Sequence, residues 1–171
     1  IEVEDFGDNT LFNILKKKKI NKETIFKKIL KTLIRLQSIK DKHIINFKNQ
    51  KYKVKEYNSK ILSNEAYLFS QWYASRKLNS YKMRNFEKKY KKEIKNLLLK
   101  LKFKNDTFVH RDFHISNLIY FKNNIAVIDS QDALIGNKAY DLASLVDDVR
   151  LKTSNKFKNK VLNYYLKKYQ K

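Results

Sequence analysis

The sequence predicts an α+β fold that is mainly helical and contains a small β-hairpin. Apolar residues recur at intervals of three and four over most of the 171 residues, which is the period of amphipathic helices. Short runs of β-branched and aromatic residues cluster between residues 107 and 128, which predicts a few neighbouring strands. Apolar residues make up 42% of the chain, which favours a packed core over a disordered polymer.

The first 53 residues predict two helices between irregular segments. Residues 1–6 alternate apolar and acidic, as at the end of a strand that enters a turn at Gly7. Asp8 or Asn9 can cap a short helix, and Asn21 can cap a second, longer one that continues to about residue 36. Residues 40–53 show no clear period and are predicted to form a loop.

The middle of the chain predicts two further helices. The first begins at Asn58 or Ser59 and ends near Lys77, and the second extends from about Tyr81 to Leu101. The apolar side of the first is expected to contain Ile61, Leu62, Leu68, Phe69, Trp72 and Tyr73. A core face is the expected role for this aromatic stripe, although its rings, together with Tyr57, could also line a ligand site.

The last third predicts three strands followed by two helices. The strands are Thr107 to His110, Leu118 to Phe121 and Ile125 to Ile128, with Lys122-Asn123-Asn124 as the turn of a hairpin. Helices are expected at about 138–148 and 153–170. This region therefore places a β-hairpin insert within a helical domain.

The net charge of +22 invites a nucleic-acid partner, but the composition argues against a specific one. Lysine supplies 34 of the 39 basic residues, whereas base and phosphate recognition favours arginine. Lysine, asparagine and isoleucine have A/T-rich codons, so an AT-rich genome explains their excess. Residues 106–150, by contrast, contain seven carboxylates and four basic residues, which suggests that acidic chemistry matters there.

Several kinds of protein are disfavoured by what the sequence lacks. The chain contains no cysteine, so it has neither disulfides nor a thiolate metal site. It contains no apolar run of the ~20 residues that a membrane span needs. Its first residues resemble neither a signal peptide nor a methionine start, so we expect the chain to begin mid-protein. We expect a cytoplasmic monomer without a membrane partner.

One spacing in the acidic region predicts phosphoryl transfer. His110-Arg111-Asp112 is followed by Asn117, and the β-branched run that ends at Ile128 is followed by Asp129. A carboxylate, an amide and a second carboxylate on such a loop can hold a hydroxyl nucleophile and Mg²⁺ together. We therefore expect Asp112 to orient the hydroxyl or accept its proton, and Asn117 and Asp129 to bind Mg²⁺.

The segments HRDFHISN, VIDSQDA and GNKAYDLASLVDDVR resemble the protein-kinase-like superfamily, in particular its aminoglycoside phosphotransferase and choline kinase branch. Within that branch they look like bacterial kinases that act on the anomeric hydroxyl of N-acetylmuramate or N-acetylglucosamine. The resemblance implies ATP and Mg²⁺, with residues 1–171 as the C-terminal lobe and residues 1–7 as the hinge between lobes. No glycine-rich loop is present, so the nucleotide-binding N-terminal lobe is expected to be absent from this chain.

The remaining polar residues of these segments receive supporting or substrate-binding roles. We expect His110 to hold the loop and Asp141 to brace the loop or cap its own helix. His114 either braces the loop or contacts phosphate. Gln131 and Asp132 either contact substrate hydroxyls or form an ordinary polar turn. Glu65 lies on an apolar helical stretch, where a carboxylate needs a partner, and is a further substrate-binding candidate.

Three functions remain open from the sequence. The first is an ATP- and Mg²⁺-dependent kinase of an amino sugar. The second is a kinase of another small hydroxyl compound, such as an aminoglycoside, choline or an amino-acid alcohol. The third is a non-catalytic basic protein that binds nucleic acid or an anionic membrane, and steeply salt-dependent binding would be its signature.

Overall fold

A computed structural model describes residues 5–17, 20–101 and 104–169. The residues form two compact units: Ile1–Lys55 with Asp106–Lys171, and Glu56–Asn105. We refer to them as the mixed unit and the helical unit. The mainly helical α+β architecture is confirmed. Residues 1–4, most of the expected hinge, lie outside the described residues, as do Gln170 and Lys171.

The mixed unit contains both helices and short antiparallel strands. Its helices are α1 (Leu11–Lys16), α2 (Lys22–Gln37), α6 (Ala139–Val146) and α7 (Asn155–Tyr169). Its strands are β1 (His43–Ile45), β2 (Lys51–Lys53), β3 (Thr107–Val109), β4 (Leu118–Phe121), β5 (Asn124–Val127) and β6 (Leu134–Gly136). They pair as β1–β2, β3–β6 and β4–β5, all antiparallel.

The core of this unit lies among its helices and the β4–β5 hairpin. The fully buried side chains include Ile25, Ile29 and Leu33 of α2, Phe113 and Ile115 of the loop before β4, and Leu145 of α6. A buried polar network joins the helices: the Tyr165 hydroxyl donates to Gln37 Oε1 at 2.6 Å, and Gln37 Nε2 donates to the Lys138 carbonyl at 2.8 Å. Because Phe113 and Ile115 are buried, the loop before β4 contributes to the core, unlike an ordinary surface loop.

The N-terminal segment confirms the turn at Gly7 and corrects the expected helix cap. Gly7 has a φ of 66°, in the left-handed region that favours glycine, and its N–H donates to Asp5 Oδ1 at 2.7 Å. The cap of α1 is Thr10, not Asp8 or Asn9, and its Oγ1 accepts from the Asn13 N–H at 3.3 Å. Asn9 pairs its carbonyl with the Tyr120 N–H instead, so this segment runs beside β4.

Two strand predictions were wrong. Residues 40–53 form the β1–β2 hairpin rather than a loop, and all six of its strand residues are exposed, so no apolar alternation marks it. Strand β6 was not predicted, because its partner β3 lies far away in sequence. The β4–β5 turn has two residues rather than three, since Lys122 and Asn123 both have positive φ, as a type I′ turn requires.

The helical unit consists of α3 (Ser59–Leu68), a π-helical segment (Phe69–Ala74), α4 (Ser75–Lys77) and α5 (Ser80–Lys100). Asn58 caps α3, as predicted. The expected core face is wrong in part, because Leu68, Phe69, Trp72 and Tyr73 are exposed. Two pairs of rings stack in this unit, Phe69 with Tyr73 at a centroid distance of 5.3 Å and Phe86 with Tyr90 at 5.4 Å.

No helix within the described ranges is long and apolar enough to cross a membrane.

Candidate active site

Residues 110–117 form a compact loop between β3 and β4. The His114 N–H donates to the Asp112 carbonyl at 3.0 Å, and the Asn117 N–H donates to the His114 carbonyl at 2.9 Å. Asn117 Nδ2 also donates to the Asp112 carbonyl at 3.1 Å. These bonds fold the loop back on itself, so that residues five apart in sequence are in direct contact. The Asp112 residue itself is exposed.

Asn117 also connects this loop to the end of β5. Its carbonyl accepts from the Ile128 N–H at 3.1 Å, which extends the β4–β5 ladder by one step. Asp129 follows directly, with a φ of 68°, and lies exposed at the end of the hairpin. The structure thus brings Asp112, Asn117 and the residue before Asp129 together through hydrogen bonds to main-chain carbonyls.

His110 forms a second connection between the loop and β5. Its Nε2 donates to the Ile128 carbonyl at 3.0 Å, and the residue is only 1% exposed. The ring meets Phe113 edge-on, with centroids 6.1 Å apart. Its Nδ1 is buried without a hydrogen-bond partner among the described residues. His110 therefore supports the loop from inside the core.

Asp141, in the first turn of α6, holds the start of the loop. Its Oδ2 accepts from the His110 N–H at 2.8 Å and its Oδ1 accepts from the Arg111 N–H at 3.0 Å. Arg111 has a φ of 76°, a conformation that costs a non-glycine residue about 1–3 kcal/mol unless its surroundings enforce it. Burial raises the pKa of Asp141, and the two main-chain donors offset part of that rise.

His114 lies half-buried in the same loop. Burial lowers its pKa, and the positive charge of Arg150 lowers it further. The imidazole is therefore neutral at physiological pH. Its Nδ1 is buried and makes no hydrogen bond with any described residue. This environment favours a bracing role over an ionic contact with phosphate.

The remaining substrate-binding candidates differ in their surroundings. Gln131 Nε2 donates to Asp129 Oδ1 at 2.7 Å, so its amide orients that carboxylate. The Asp132 carbonyl accepts from Arg111 Nη1 at 3.2 Å, and the residue is exposed. Glu65 belongs to the helical unit, where its Oε2 accepts a hydrogen bond from the buried Tyr57 hydroxyl. The substrate-binding roles of these three residues stay predictions.

A second buried carboxylate, which was not predicted from the sequence, contacts the loop. Asp148 follows α6, and its Oδ2 accepts from the Ile115 N–H at 3.0 Å. Its Oδ1 accepts from the Arg150 N–H at 2.9 Å and from Arg150 Nη1 at 3.2 Å. The signal available in the sequence was a pair of aspartates, Asp147 and Asp148, at the end of an apolar helix within the acidic region.

The donor set of this site fits a magnesium ion better than a transition metal. No group of three or more histidine, cysteine or acidic residues that could enclose a metal occurs in the described part of the chain. Mg²⁺ needs fewer protein ligands, because it keeps several waters and takes substrate phosphates as further ligands. An exposed Asp129 carboxylate and the Asn117 amide, whose Nδ2 is already used, are oxygen donors of this kind.

Comparison with known proteins decides the family. The model of the phosphotransferase enzyme family matches residues 21–171, which include the whole site. The chain belongs to the phosphotransferase enzyme family. The predicted resemblance to phosphotransferases is thereby confirmed.

Two curated proteins are similar to this phosphotransferase-family chain. An N-acetylmuramate/N-acetylglucosamine kinase of Neisseria meningitidis serogroup B is 31% identical over 105 residues, which are 60% of this chain and 30% of that protein. The kinase of the same name from Pseudomonas aeruginosa is 28% identical over 167 residues, which are 97% of this chain and 46% of that protein. The chain thus spans less than half the length of either relative.

Proposed function

We propose that the protein containing this chain is an ATP- and Mg²⁺-dependent phosphotransferase that phosphorylates a hydroxyl group of a small molecule. The observation that carries the proposal is the set of hydrogen bonds joining Asp112, Asn117 and Ile128, which directly precedes Asp129. Family membership over residues 21–171 supports it independently. On this proposal the chain is the C-terminal lobe of a protein-kinase-like fold, and a lobe outside this chain binds most of the nucleotide.

The proposed reaction is an in-line transfer of the γ-phosphoryl group of ATP to the acceptor hydroxyl. The acceptor hydroxyl oxygen forms a bond to the γ-phosphorus, the bond from that phosphorus to the β–γ bridging oxygen breaks, and ADP leaves. The hydroxyl proton passes to the Asp112 carboxylate, which is exposed and therefore accessible to a substrate. The β4–β5 hairpin and its adjoining loop supply all three proposed side chains.

Two oxygen donors are proposed to hold the metal. Asn117 Oδ1 is available because the other end of the amide donates to the Asp112 carbonyl. The Asp129 carboxylate carries the charge, and Gln131 orients it. A bound Mg²⁺ would neutralise charge on the phosphate oxygens.

An amino sugar is the proposed acceptor, at its anomeric hydroxyl. The support comes from the two relatives, both named as kinases of N-acetylmuramate and N-acetylglucosamine. A protein-substrate kinase fits less well, since only residues 130–139 separate Asp129 from Tyr140, leaving no room for a long activation loop.

The test is a substrate panel with the whole protein and γ-³²P-labelled ATP. The acceptors are N-acetylmuramate, N-acetylglucosamine, the 1-deoxy analogue of N-acetylglucosamine, kanamycin and choline. We expect label on the first two and none on the 1-deoxy analogue, with a product phosphate that mild acid releases, as from an anomeric phosphate. Label on kanamycin or choline alone would redirect the proposal to that acceptor class, and no label on any acceptor would contradict it.

A further inference from the structure

The loop at residues 110–117 is held by two buried carboxylates at opposite ends of α6. Asp141, in the first turn of that helix, accepts from the main chain of His110 and Arg111. Asp148, just beyond its end, accepts from the main chain of Ile115. Asp112 lies between the two points of attachment. The position of its carboxylate therefore depends on both carboxylates and on the helix that connects them.

The Asp148 side chain is buried at this contact and is not exposed to solvent. Its side chain is 1% exposed, although the neighbouring Asp147 side chain is 69% exposed and pairs with Lys158. A buried carboxylate is costly unless hydrogen bonds satisfy it, and Asp148 accepts three. Two come from Arg150, two residues away, and make a local turn. The third comes from Ile115, 33 residues away, and has no role in that local turn.

Ile115 is fixed at both of its main-chain groups. Its N–H donates to Asp148 and its carbonyl accepts from the Phe12 N–H at 3.1 Å, while its side chain is fully buried in the core. Ile115 lies midway between Asp112 and Asn117. A loss of the Asp148 bond would therefore free the segment that sets the distance between the proposed base and the proposed metal ligand.

We propose that Asp148 is a positioning residue for phosphoryl transfer, acting through the Ile115 N–H to hold the second half of loop 110–117. This inference rests on the proposed function for its kinetic consequence. The anchoring itself does not depend on the reaction. Misplacement of a reacting group by about 1 Å can cost ~10²-fold in rate without loss of substrate binding.

The experiment compares Asp148→Asn with Asp147→Asn in the whole protein. Asp148→Asn keeps the size of the side chain but places an amide N–H among donors; Asp147→Asn makes the same chemical change on the exposed neighbour. For Asp148→Asn we expect kcat to fall by roughly 10- to 100-fold, with the KM values for ATP and sugar within about 2-fold of wild type. For Asp147→Asn we expect kinetics close to wild type.

Hydrogen exchange provides a readout that does not require activity. Peptides covering residues 113–117 should exchange faster in Asp148→Asn than in wild type or Asp147→Asn, while peptides from α2 remain protected. Arg150→Gln removes the guanidinium bond to Asp148 but keeps the main-chain N–H donors of residue 150 and of Ile115. It therefore tests the contact with Ile115 apart from the ion pair with Arg150. We expect Arg150→Gln to retain most of the wild-type kcat.

Every other pattern overturns the inference. Unchanged kcat with faster exchange would show that anchoring Ile115 does not affect the reaction, and equal losses in Asp147→Asn or Arg150→Gln would show a general charge effect. Asp148→Ser serves as a smaller second variant. If neither Asp148 variant gives a cooperative thermal transition, Asp148 stabilises the whole unit instead. A wild-type protein that phosphorylates nothing refutes the proposed function, whereas the exchange data still decide whether Asp148 holds the loop.

Discussion

His110 Nε2 donates to the main-chain carbonyl of Ile128 at 3.0 Å, so a buried imidazole ties the loop that contains Asp112 to the strand that precedes Asp129. The same Ile128 donates its N–H to the Asn117 carbonyl at 3.1 Å. Both main-chain groups of one residue are thus used to align the two halves of the proposed site. These hydrogen bonds join two segments that are separated in sequence by the whole β4–β5 hairpin.

Replacement of Asp112 by asparagine should lower the turnover of the whole protein by about 10²-fold or more, the scale of a positioned general base. The amide keeps the shape of the side chain but cannot accept the hydroxyl proton. Steady-state kinetics with the preferred sugar measure the effect. Asp147→Asn is a matched control on an exposed carboxylate outside the site, and turnover equal to wild type in Asp112→Asn would remove Asp112 from the mechanism.

Replacement of Asp129 by asparagine should raise the Mg²⁺ concentration that gives half-maximal activity by at least about 10-fold, since loss of even an indirect metal contact has that effect. The amide has the geometry of the carboxylate without its charge. A magnesium titration at saturating ATP measures the shift. Identical titration curves for wild type and Asp129→Asn would show that this carboxylate does not bind the metal.

Replacement of His110 by phenylalanine should lower the free energy of unfolding by about 1–3 kcal/mol, because the half-buried Ile128 carbonyl loses its side-chain donor. Phenylalanine preserves an aromatic ring in the core. Urea unfolding of the whole protein measures the change. The corresponding change at the half-exposed His43, which pairs with Asp41 at 3.2 Å, should cost less than about 0.5 kcal/mol. Equal losses at the two positions would contradict the proposed support.

Asp141 predicts a specific dependence of stability on pH. Its pKa is raised in the folded protein, mainly by burial, so the folded state keeps a proton that the unfolded chain has already lost. Between the two pKa values the folded state binds more protons, and the stability contributed by Asp141 decreases as pH rises through that window. The difference in unfolding free energy between wild type and Asp141→Asn should therefore fall from about pH 4 upward and then level off. Urea midpoints across the acid range measure it, and a difference that grows with pH would contradict the raised pKa.

Replacement of Lys122 by asparagine should stabilise the protein by roughly 0.5–1 kcal/mol, a part of the cost that an ordinary residue carries in the left-handed region. Lys122 has a φ of 45° in the β4–β5 turn, and asparagine tolerates positive φ better than lysine. Thermal unfolding of the whole protein measures the gain. Lys122→Ala removes the same charge without this conformational advantage and should not be stabilising. A gain of equal size in both variants would attribute the effect to charge.

Features encoded by local patterns were predictable from the sequence. Helix α2 shows an apolar stripe and begins after Asn21, whose Oδ1 accepts from the N–H groups of Glu23 and Thr24, as its position predicted. The β4–β5 hairpin follows from two β-branched runs and a turn. The spacing of Asp112, Asn117 and Asp129 could likewise be recognised in the sequence, because phosphoryl transfer constrains which residue types occur at these positions.

Features that depend on distant parts of the chain were not predictable. Strand β6 pairs with β3, which lies far from it in sequence. All three of its residues are buried, so no alternation of apolar and polar residues identifies it as a strand. In the sequence, Asp148 is an ordinary carboxylate near a helix end, and only the fold shows that it accepts a hydrogen bond from the Ile115 N–H. The exposed position of Trp72, at 64% of its surface, also contradicts the helical pattern, which marks a periodic face without showing what covers it.

The helix between the two anchoring carboxylates sets a constraint on sequence change. Asp141 lies in the first turn of α6, and Asp148 follows two residues after the helix ends at Val146; both carboxylates bond the main chain of the loop. An insertion or deletion of one residue in α6 would rotate one carboxylate by about 100° relative to the other. Drift toward lysine and asparagine can therefore alter the exposed residues of α6 freely, whereas natural variants of this protein should preserve its length.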